Sequence, residues 1–490
     1  MARKTISVTI LHTNDMHADL PAMSRLSAFL RAYRAELLAE GRRVFYFDAG
    51  DAADRRVRWI SATKGAAFPR VLAAMGCDLQ TLGNGISVTY GLQAASDMAA
   101  RADFPILAVN FFRNGQPLVA GFLPSITFAL DDQVSLKVSG QAPYSPHIYA
   151  LFGVDVPHFV ECAREWARKL AGQPGPLVMV NHLGLREDRE VAAAVPEVDV
   201  IIGGHSHSLL PDGEFVGGVL IAQAGQYAQY LGRVDLEIDA QTGVVLSKKA
   251  RLLGIPADQA ADPLVEAAIG QAEEEARQVL ARPIARLPEA LEADFFAESA
   301  LGNYAADALR RRMNAEIGLL ASGLLQKGLP AGLLTLGRLD EACFTTANPM
   351  LSLLSGRQVR EGLEKGLKEE NARAYHKSYR GSPVGIPQVS GLRVLWDPAA
   401  PDGNKIREVW VGENPLEEDR QYRVAHTDAE CEGAGAFLTM EEGQVLRTEV
   451  PTILREVLEE DLKRGIPSLN ELQGRWIQIF DSFCSIIGCL

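Results

Sequence analysis

The chain has 490 residues, 47% of them hydrophobic and 23% charged. At roughly 150 residues per domain this predicts two or three domains with cores of their own, and it excludes a single small module or a globally disordered chain. Lys and Arg total 49 against 62 Asp and Glu, a net charge of −13. That balance repels phosphate backbones, so nucleic acid is not an expected partner, and a small anionic substrate needs a local positive centre such as a bound metal.

The amino-terminal segment has two early basic residues but lacks the apolar core and small-residue cleavage site of a secretory leader. Its alternation from Ile6 to Leu11 predicts a strand instead. With no apolar run of about 20 residues anywhere, neither a membrane-spanning helix nor a membrane partner is expected, and the expected location is cytoplasmic. A helical stretch from Arg25 to Leu38 and a short apolar run from Val44 to Phe47 complete a strand, helix, strand opening. Strand-like runs recur at Ile106 to Val109, Leu177 to Val180, Val198 to Ile202 and Val219 to Ile221, separated by helix-like segments such as Val156 to Ala171. Residues 1–255 are therefore expected to form one layered α/β domain.

A stretch rich in Ala, Glu and Gln from Ala260 to Ala281, bounded by Pro256 and Pro283, reads as a connecting helix within residues 256–288. Helix-like Ser299 to Arg312 and strand-like Ile317 to Leu320 and Leu392 to Trp396 follow, which predicts a second α/β domain over residues 289–480. Residues 481–490 are an apolar tail with Cys484 and Cys489; the other cysteines, Cys77, Cys162, Cys343 and Cys431, are scattered singly. The spacing matches neither a zinc ribbon nor a disulfide framework, and the tail is not a prenylation box.

Four segments each follow an apolar strand-like run and end in metal-type ligands. They are T-N-D-M-H (Asp15, His17), D-A-G-D (Asp48, Asp51), L-G-N-G (Asn84), and the pair V-N-H-L-G (His182) with G-G-H-S-H (His205, His207). In an open α/β sheet the loops beyond the carboxyl ends of the strands share one crevice, where ligands distant in sequence converge. Imidazole, carboxylate and amide donors together suit Zn, Mn, Fe or Co rather than Mg or Ca. Without Asp48, seven candidate ligands remain; they exceed a mononuclear set and fit two divalent ions sharing a carboxylate bridge, with Asp51 the expected bridge.

This ordered set resembles the bacterial 5′-nucleotidase and cyclic-phosphodiesterase family of dinuclear metallophosphoesterases. The segments Glu298 to Arg310, Ala321 to Leu325 and Ile386 to Val394 resemble that family's carboxy-terminal substrate domain. The resemblance implies an αββα metallophosphoesterase-type domain followed by a second α/β substrate domain, joined by a helix. It implies that Asp15, His17 and His207 hold one ion and that Asn84, His182 and His205 hold the other, with Asp51 between them. Two divalent ions, Mn or Zn foremost with Fe or Co open, would then serve a nucleotide-catabolising hydrolase whose nucleophile is a metal-bridging hydroxide.

Two departures from the family pattern bear on activity. The family's asparagine motif reads G-N-H-E-F-D, whereas Gly85 and Val88 here replace the His and Asp of a dyad over the phosphoryl group. Losing such a preorganised donor costs about 10² to 10³ in rate, so reduced or altered activity is expected, with Arg55 and Arg56 the candidate substitutes beside Asp51 and Asn84. In the second domain Gln326 stands where a phosphate-clamping arginine is expected, and Asn348, Tyr379 and Phe437 are the remaining candidate substrate contacts, the two rings for stacking a nucleobase. The main alternative is a hydrolase of a sulfur-containing or other non-nucleotide anion, like the thiosulfohydrolases that share the ending Thr89-Tyr90-Gly91. A catalytically weak metal-holding binding protein is the other.

Overall fold

The computed structural model describes residues 4–117 and 121–479, so the tail at 481–490 lies outside the described residues. The chain divides into two compact units, Met1–Arg277 and Gln278–Leu490. The division falls in the helix Pro263–Leu280, whose buried stripe Val265, Ala268, Ile269, Ala272 and Ala276 follows the helical repeat.

In the first unit two six-stranded sheets stack face to face. The strand Thr5–Thr13 pairs in parallel with Arg43–Asp48, which pairs with Leu79–Thr81 and then Ile106–Leu107. On its other side it pairs antiparallel with Tyr230–Asp239, which forms a long hairpin with Val245–Gly254. The second sheet has a parallel centre, Ser135–Ser139, Leu177–Val180, Val200–Ile202 and Val219–Ala222. Val8, Ile10, Phe47 and Leu79 of one sheet meet Val138, Val178, Val200 and Leu220 of the other in one buried cluster. The outer face of the second sheet is covered by Phe159–Leu170 and Leu185–Ala194 through Phe159, Ala163, Val191 and Ala192. Parallel strands buried on both faces read as continuous apolar runs, and their crossovers leave the helices outside, as αββα layering requires.

In the second unit a five-stranded mixed sheet runs Pro387–Ser390, Ile317–Ala321, Gln421–Thr427, Pro349–Ser355, Val445–Thr448, and a four-stranded sheet is built around Leu392–Trp396. The helix Ala300–Met313 is capped by the Ser299 hydroxyl, which accepts from the Gly302 N–H at 3.2 Å, and nearly every residue of it is buried against these sheets. Among the described residues no helix is long and apolar enough to cross a membrane.

Candidate metal centre

Each candidate ligand leaves the sheets at the carboxyl end of a parallel strand. Asp15 and His17 follow Thr5–Thr13, Asp51 follows Arg43–Asp48, and Asn84 follows Leu79–Thr81. His182 follows Leu177–Val180, and His205 and His207 follow Val200–Ile202. The first two loops are zipped together by backbone bonds, Asp15 N–H to Gly50 O at 2.9 Å and His17 N–H to Asp51 O at 3.0 Å.

Five of the seven ligands, Asp15, His17, Asp51, His205 and His207, have φ between 48° and 73°. Left-handed backbone outside glycine is sparsely populated, though Asp and His tolerate it best, and its concentration in one set of loops marks a site rather than a fold requirement.

The side chains converge on the buried carboxylate of Asp15. Its Oδ1 lies 3.4 Å from His207 Nε2 and 3.8 Å from both His17 Nε2 and His182 Nε2. Asp15 Oδ2 is held in place by the Asn14 side-chain amide at 2.7 Å and the His205 backbone N–H at 2.8 Å. Asp51 Oδ2 stands 3.3 Å from His182 Nε2, and its Oδ1 accepts the Gly85 N–H at 2.8 Å. His182 Nδ1 donates to Ala49 O at 2.7 Å, which leaves Nε2 as the donor atom facing the two carboxylates. Asn84 Oδ1 and His205 Nδ1 pair at 2.9 Å, and the His205 ring stands 5.2 Å from that of His182.

Two groups thus emerge, Asp15 with His17 and His207, and Asp15 with Asp51 and His182, each with its donor atoms within 4.8 Å of one another. The atom common to both is Asp15 Oδ1, so the geometry offers Asp15 as well as Asp51 for the bridge expected from the sequence. Asn84 and His205 flank the second group.

The donors fit a pair of divalent cations. Asp15 Oδ1 and His182 Nε2 are buried with no hydrogen-bond partner, and a buried carboxylate oxygen facing an imidazole nitrogen in that state is costly without a cation between them. Glycines shape the cradle. A Cβ on Gly83 would fall 2.0 Å from Asp51 Oδ1, and one on Gly50, at φ +97°, would fall 2.6 Å from His182 Nδ1.

The protonation pattern agrees. Burial alone would lower the His182 pKa, yet Asp51 and Asp15 overcome it and hold the imidazole at about 9. Burial would likewise raise Asp51, and His182 pulls it down to about 2. His17 and His205 are lowered, chiefly by burial, and His207 is raised, first by its contact with Asp15. A proton on His182 therefore occupies electrostatically the place of a cation.

Arg55 is half-buried and donates to Thr89 Oγ1 at 2.6 Å, whereas Arg56 is exposed and paired with Asp54 at 2.8 Å. Two residues missed by the sequence reading adjoin the ligands. Asp54 Oδ2 lies 3.6 Å from His17 Nδ1. Tyr227 packs its ring 5.7 Å from that of His17 and donates its backbone N–H to Asp15 O at 3.0 Å. Neither carries a motif, but Tyr227 lies beyond the carboxyl end of Val219–Ala222, the one position from which it could have been found.

The second unit corrects two of the substrate contacts expected there. Tyr379 and Phe437 are 0% and 1% exposed and belong to the core, and the Tyr379 hydroxyl donates to Ala429 O at 3.0 Å. Neither ring has a free face on which a base could stack. The Gln326 side-chain amide donates to Gly323 O at 3.1 Å and accepts the Phe344 N–H at 2.9 Å. Asn348 Nδ2 likewise donates to Thr452 O at 2.7 Å. Both side chains are half-buried and bonded to the backbone of their own unit.

Comparison with known proteins adds the following. Residues 269–442 match the family model of the 5′-nucleotidase C-terminal domain. The chain is 28% identical over 422 residues to an uncharacterized metallophosphoesterase, YunD, of Bacillus subtilis, covering 86% of this chain and 91% of that one. It is 26% identical to the trifunctional nucleotide phosphoesterase protein YfkN of the same organism, covering 96% of this chain and 35% of that longer one. The solved structure of a 5′-nucleotidase precursor from Thermus thermophilus superposes with a TM-score of 0.52 at 23% identity, covering 97% of this chain and 99% of that one.

Proposed function

We propose that this chain, a member of the 5′-nucleotidase family of metallophosphoesterases and hence a hydrolase of phosphate esters, is a dinuclear enzyme acting on small nucleotide-like substrates. The observation that carries the reading is the convergence of Asp15 Oδ1 and His182 Nε2, buried and unpartnered, at the junction of two ligand groups. Asp15, His17 and His207 would hold one divalent ion; Asp51 and His182, flanked by Asn84 and His205, would hold the other. When bound, such a pair activates water and neutralises the charge on the phosphoryl group. Mixed imidazole and carboxylate donors favour Mn or Zn, with Fe or Co also compatible.

The protein's own residues supply orientation. The Gly85 N–H aims Asp51, Ala49 O sets the His182 tautomer, and Asn14 with the His205 backbone aims Asp15. Gly85 and Val88 bring no side-chain acid or donor to the Asn84 turn, so Arg55 and Arg56, which follow Asp51 in sequence, are the candidate cations for the substrate's remaining charge, and slower turnover of alkyl esters follows. A nucleotide-like substrate is supported by the match to the 5′-nucleotidase C-terminal domain and by the similarity to YfkN.

The test is metal analysis followed by assay with added Mn on p-nitrophenyl phosphate, bis-p-nitrophenyl phosphate and nucleoside monophosphates. Two ions per chain with hydrolysis of at least one of these is expected. Two ions with none of the three turned over, and release of sulfate from an S-sulfonated thiol instead, would replace the phosphoesterase reading by its sulfur alternative.

A further inference from the structure

We propose that Asp54 is a positioning residue for the metal centre, one that fixes the tautomer of His17, with Arg56 and Tyr227 holding its carboxylate in place. The proposal rests on the dinuclear reading above. His17 Nε2 and His207 Nε2 stand 3.0 Å apart, a separation at which two imidazole nitrogens must share a proton. Ligation by both rings requires lone pairs on both Nε2 atoms, so each ring must then carry its proton on Nδ1, and that proton needs an acceptor. The two rings differ in what is available. The His207 side chain is 36% exposed, so water can serve it, whereas that of His17 is 16% exposed. Among the described residues the one carboxylate within 4.0 Å of His17 Nδ1 is Asp54, at 3.6 Å. That is longer than a hydrogen bond and short enough for a ring rotation to close.

The carboxylate is not free to turn away. Its Oδ1 accepts the Arg56 backbone N–H at 2.6 Å, and its Oδ2 accepts Arg56 Nε at 3.0 Å. The same guanidinium is hydrogen-bonded to Tyr227, whose ring packs on His17 and whose backbone N–H is tied to Asp15. His17, Asp54, Arg56, Tyr227 and Asp15 thus form a closed circuit around the outer side of one ligand group. An ordinary surface ion pair between Asp54 and an exposed arginine would contribute little to stability and would not explain this closure.

The experiment is Zn²⁺ titration of the metal-free full chain by calorimetry, for the parent, Asp54→Ala and Asp54→Asn, with thermal melting of the metal-free forms and nitrogen NMR of the histidine rings after loading. For Asp54→Ala we expect one of the two ions to bind about 10- to 100-fold more weakly, the loss typical of removing an outer partner of a metal-bound histidine, with the other ion unchanged. Asp54→Asn keeps an acceptor oxygen and should stay within a few-fold of the parent. The loaded parent and Asp54→Asn should show His17 protonated on Nδ1, and Asp54→Ala a mixture of tautomers. Unchanged affinity for both ions in Asp54→Ala overturns the proposal, as does an equal weakening in both variants that simply follows a loss of melting temperature. A parent that binds fewer than two ions overturns the dinuclear reading itself and this proposal with it.

Discussion

Replacing Asp51 by Asn tests the centre most directly, because it exchanges a charge for a neutral group of the same shape. Asp51 is 8% exposed and stands 3.3 Å from His182 Nε2. Burial works against the charged form of both partners, yet the imidazole is raised from 6.5 to about 9 and the carboxyl is lowered from 3.8 to about 2. The Asp51–His182 attraction enters both shifts and is counted once; Asp15 adds to the imidazole shift, so at ~1.4 kcal/mol per unit that whole shift, about 3.5 kcal/mol, is an upper bound on the pair. The raised pKa makes this contribution complete below pH 6.5 and removes it as pH rises through about 9. The substitution also removes a carboxylate that burial disfavours and lets His182 become neutral, so the metal-free variant should lose less than about 3.5 kcal/mol at pH 6 and almost nothing at pH 9.5. Loss of a carboxylate ligand should, by contrast, lower turnover at least about 10³-fold, equivalent to roughly 4 kcal/mol of activation free energy. Denaturant unfolding of the metal-free protein at the two pH values, metal content and p-nitrophenyl phosphate hydrolysis with Mn measure the three quantities. Because Asp15 Oδ1 is common to both ligand groups, Asp15→Asn assayed in parallel should empty both positions, while Asp51→Asn empties chiefly the one at His182. Parental turnover with two bound ions in Asp51→Asn, or a stability loss equal at pH 6 and 9.5, would refute the reasoning.

Metal affinity should rise as pH increases from 6 and level off above about 9, since the proton held by His182 must leave before Nε2 can ligate; affinity that is flat across this range would show that His182 is not a ligand. Gly85→His combined with Val88→Asp should raise phosphomonoesterase turnover about 10²-fold by restoring a donor beside the phosphoryl group. A Cβ at position 85 would meet Asp51 Oδ1 at 3.2 Å, so the substitution fits with a shift of a few tenths of an ångström, and an unchanged rate would reject the missing dyad as the limiting feature. Tyr379→Phe should cost about 1 kcal/mol of stability through the unpaired Ala429 carbonyl and leave KM unchanged, whereas a several-fold rise in KM would return Tyr379 to the substrate site.

The ligand loops were legible because a parallel strand buried on both faces leaves an unbroken apolar run, and polar residues just beyond it stand out. Val198 to Ile202 followed by two alternate histidines is the clearest case, and the structure ends its strand at Ile202. The hairpin Tyr230–Asp239 with Val245–Gly254 has no clear signature in the sequence, since its second strand is a half-exposed edge in which Lys248, Lys249 and Arg251 interrupt the apolar pattern. Tyr379 and Phe437 show a different limit. An aromatic residue in a glycine-rich loop has the same spelling whether its ring faces a ligand or the core, and only packing decides.

The bridge is harder still, because it depends on where single oxygens point. Asp15 and Asp51 lie in equivalent loops after adjacent strands, and both adopt left-handed backbone. What separates them is local. Asp15 Oδ2 is consumed by two donors while Oδ1 lies between three imidazoles, and Asp51 gives Oδ1 to Gly85 and turns Oδ2 toward His182 at 3.3 Å. Glycines at positions 50 and 83 leave room for His182 and Asp51, since a Cβ there would fall 2.6 Å from His182 Nδ1 or 2.0 Å from Asp51 Oδ1. Left-handed backbone at five ligands is a local cost, and it is held in place by backbone bonds between the loops, such as Asp15 N–H to Gly50 O and His17 N–H to Asp51 O.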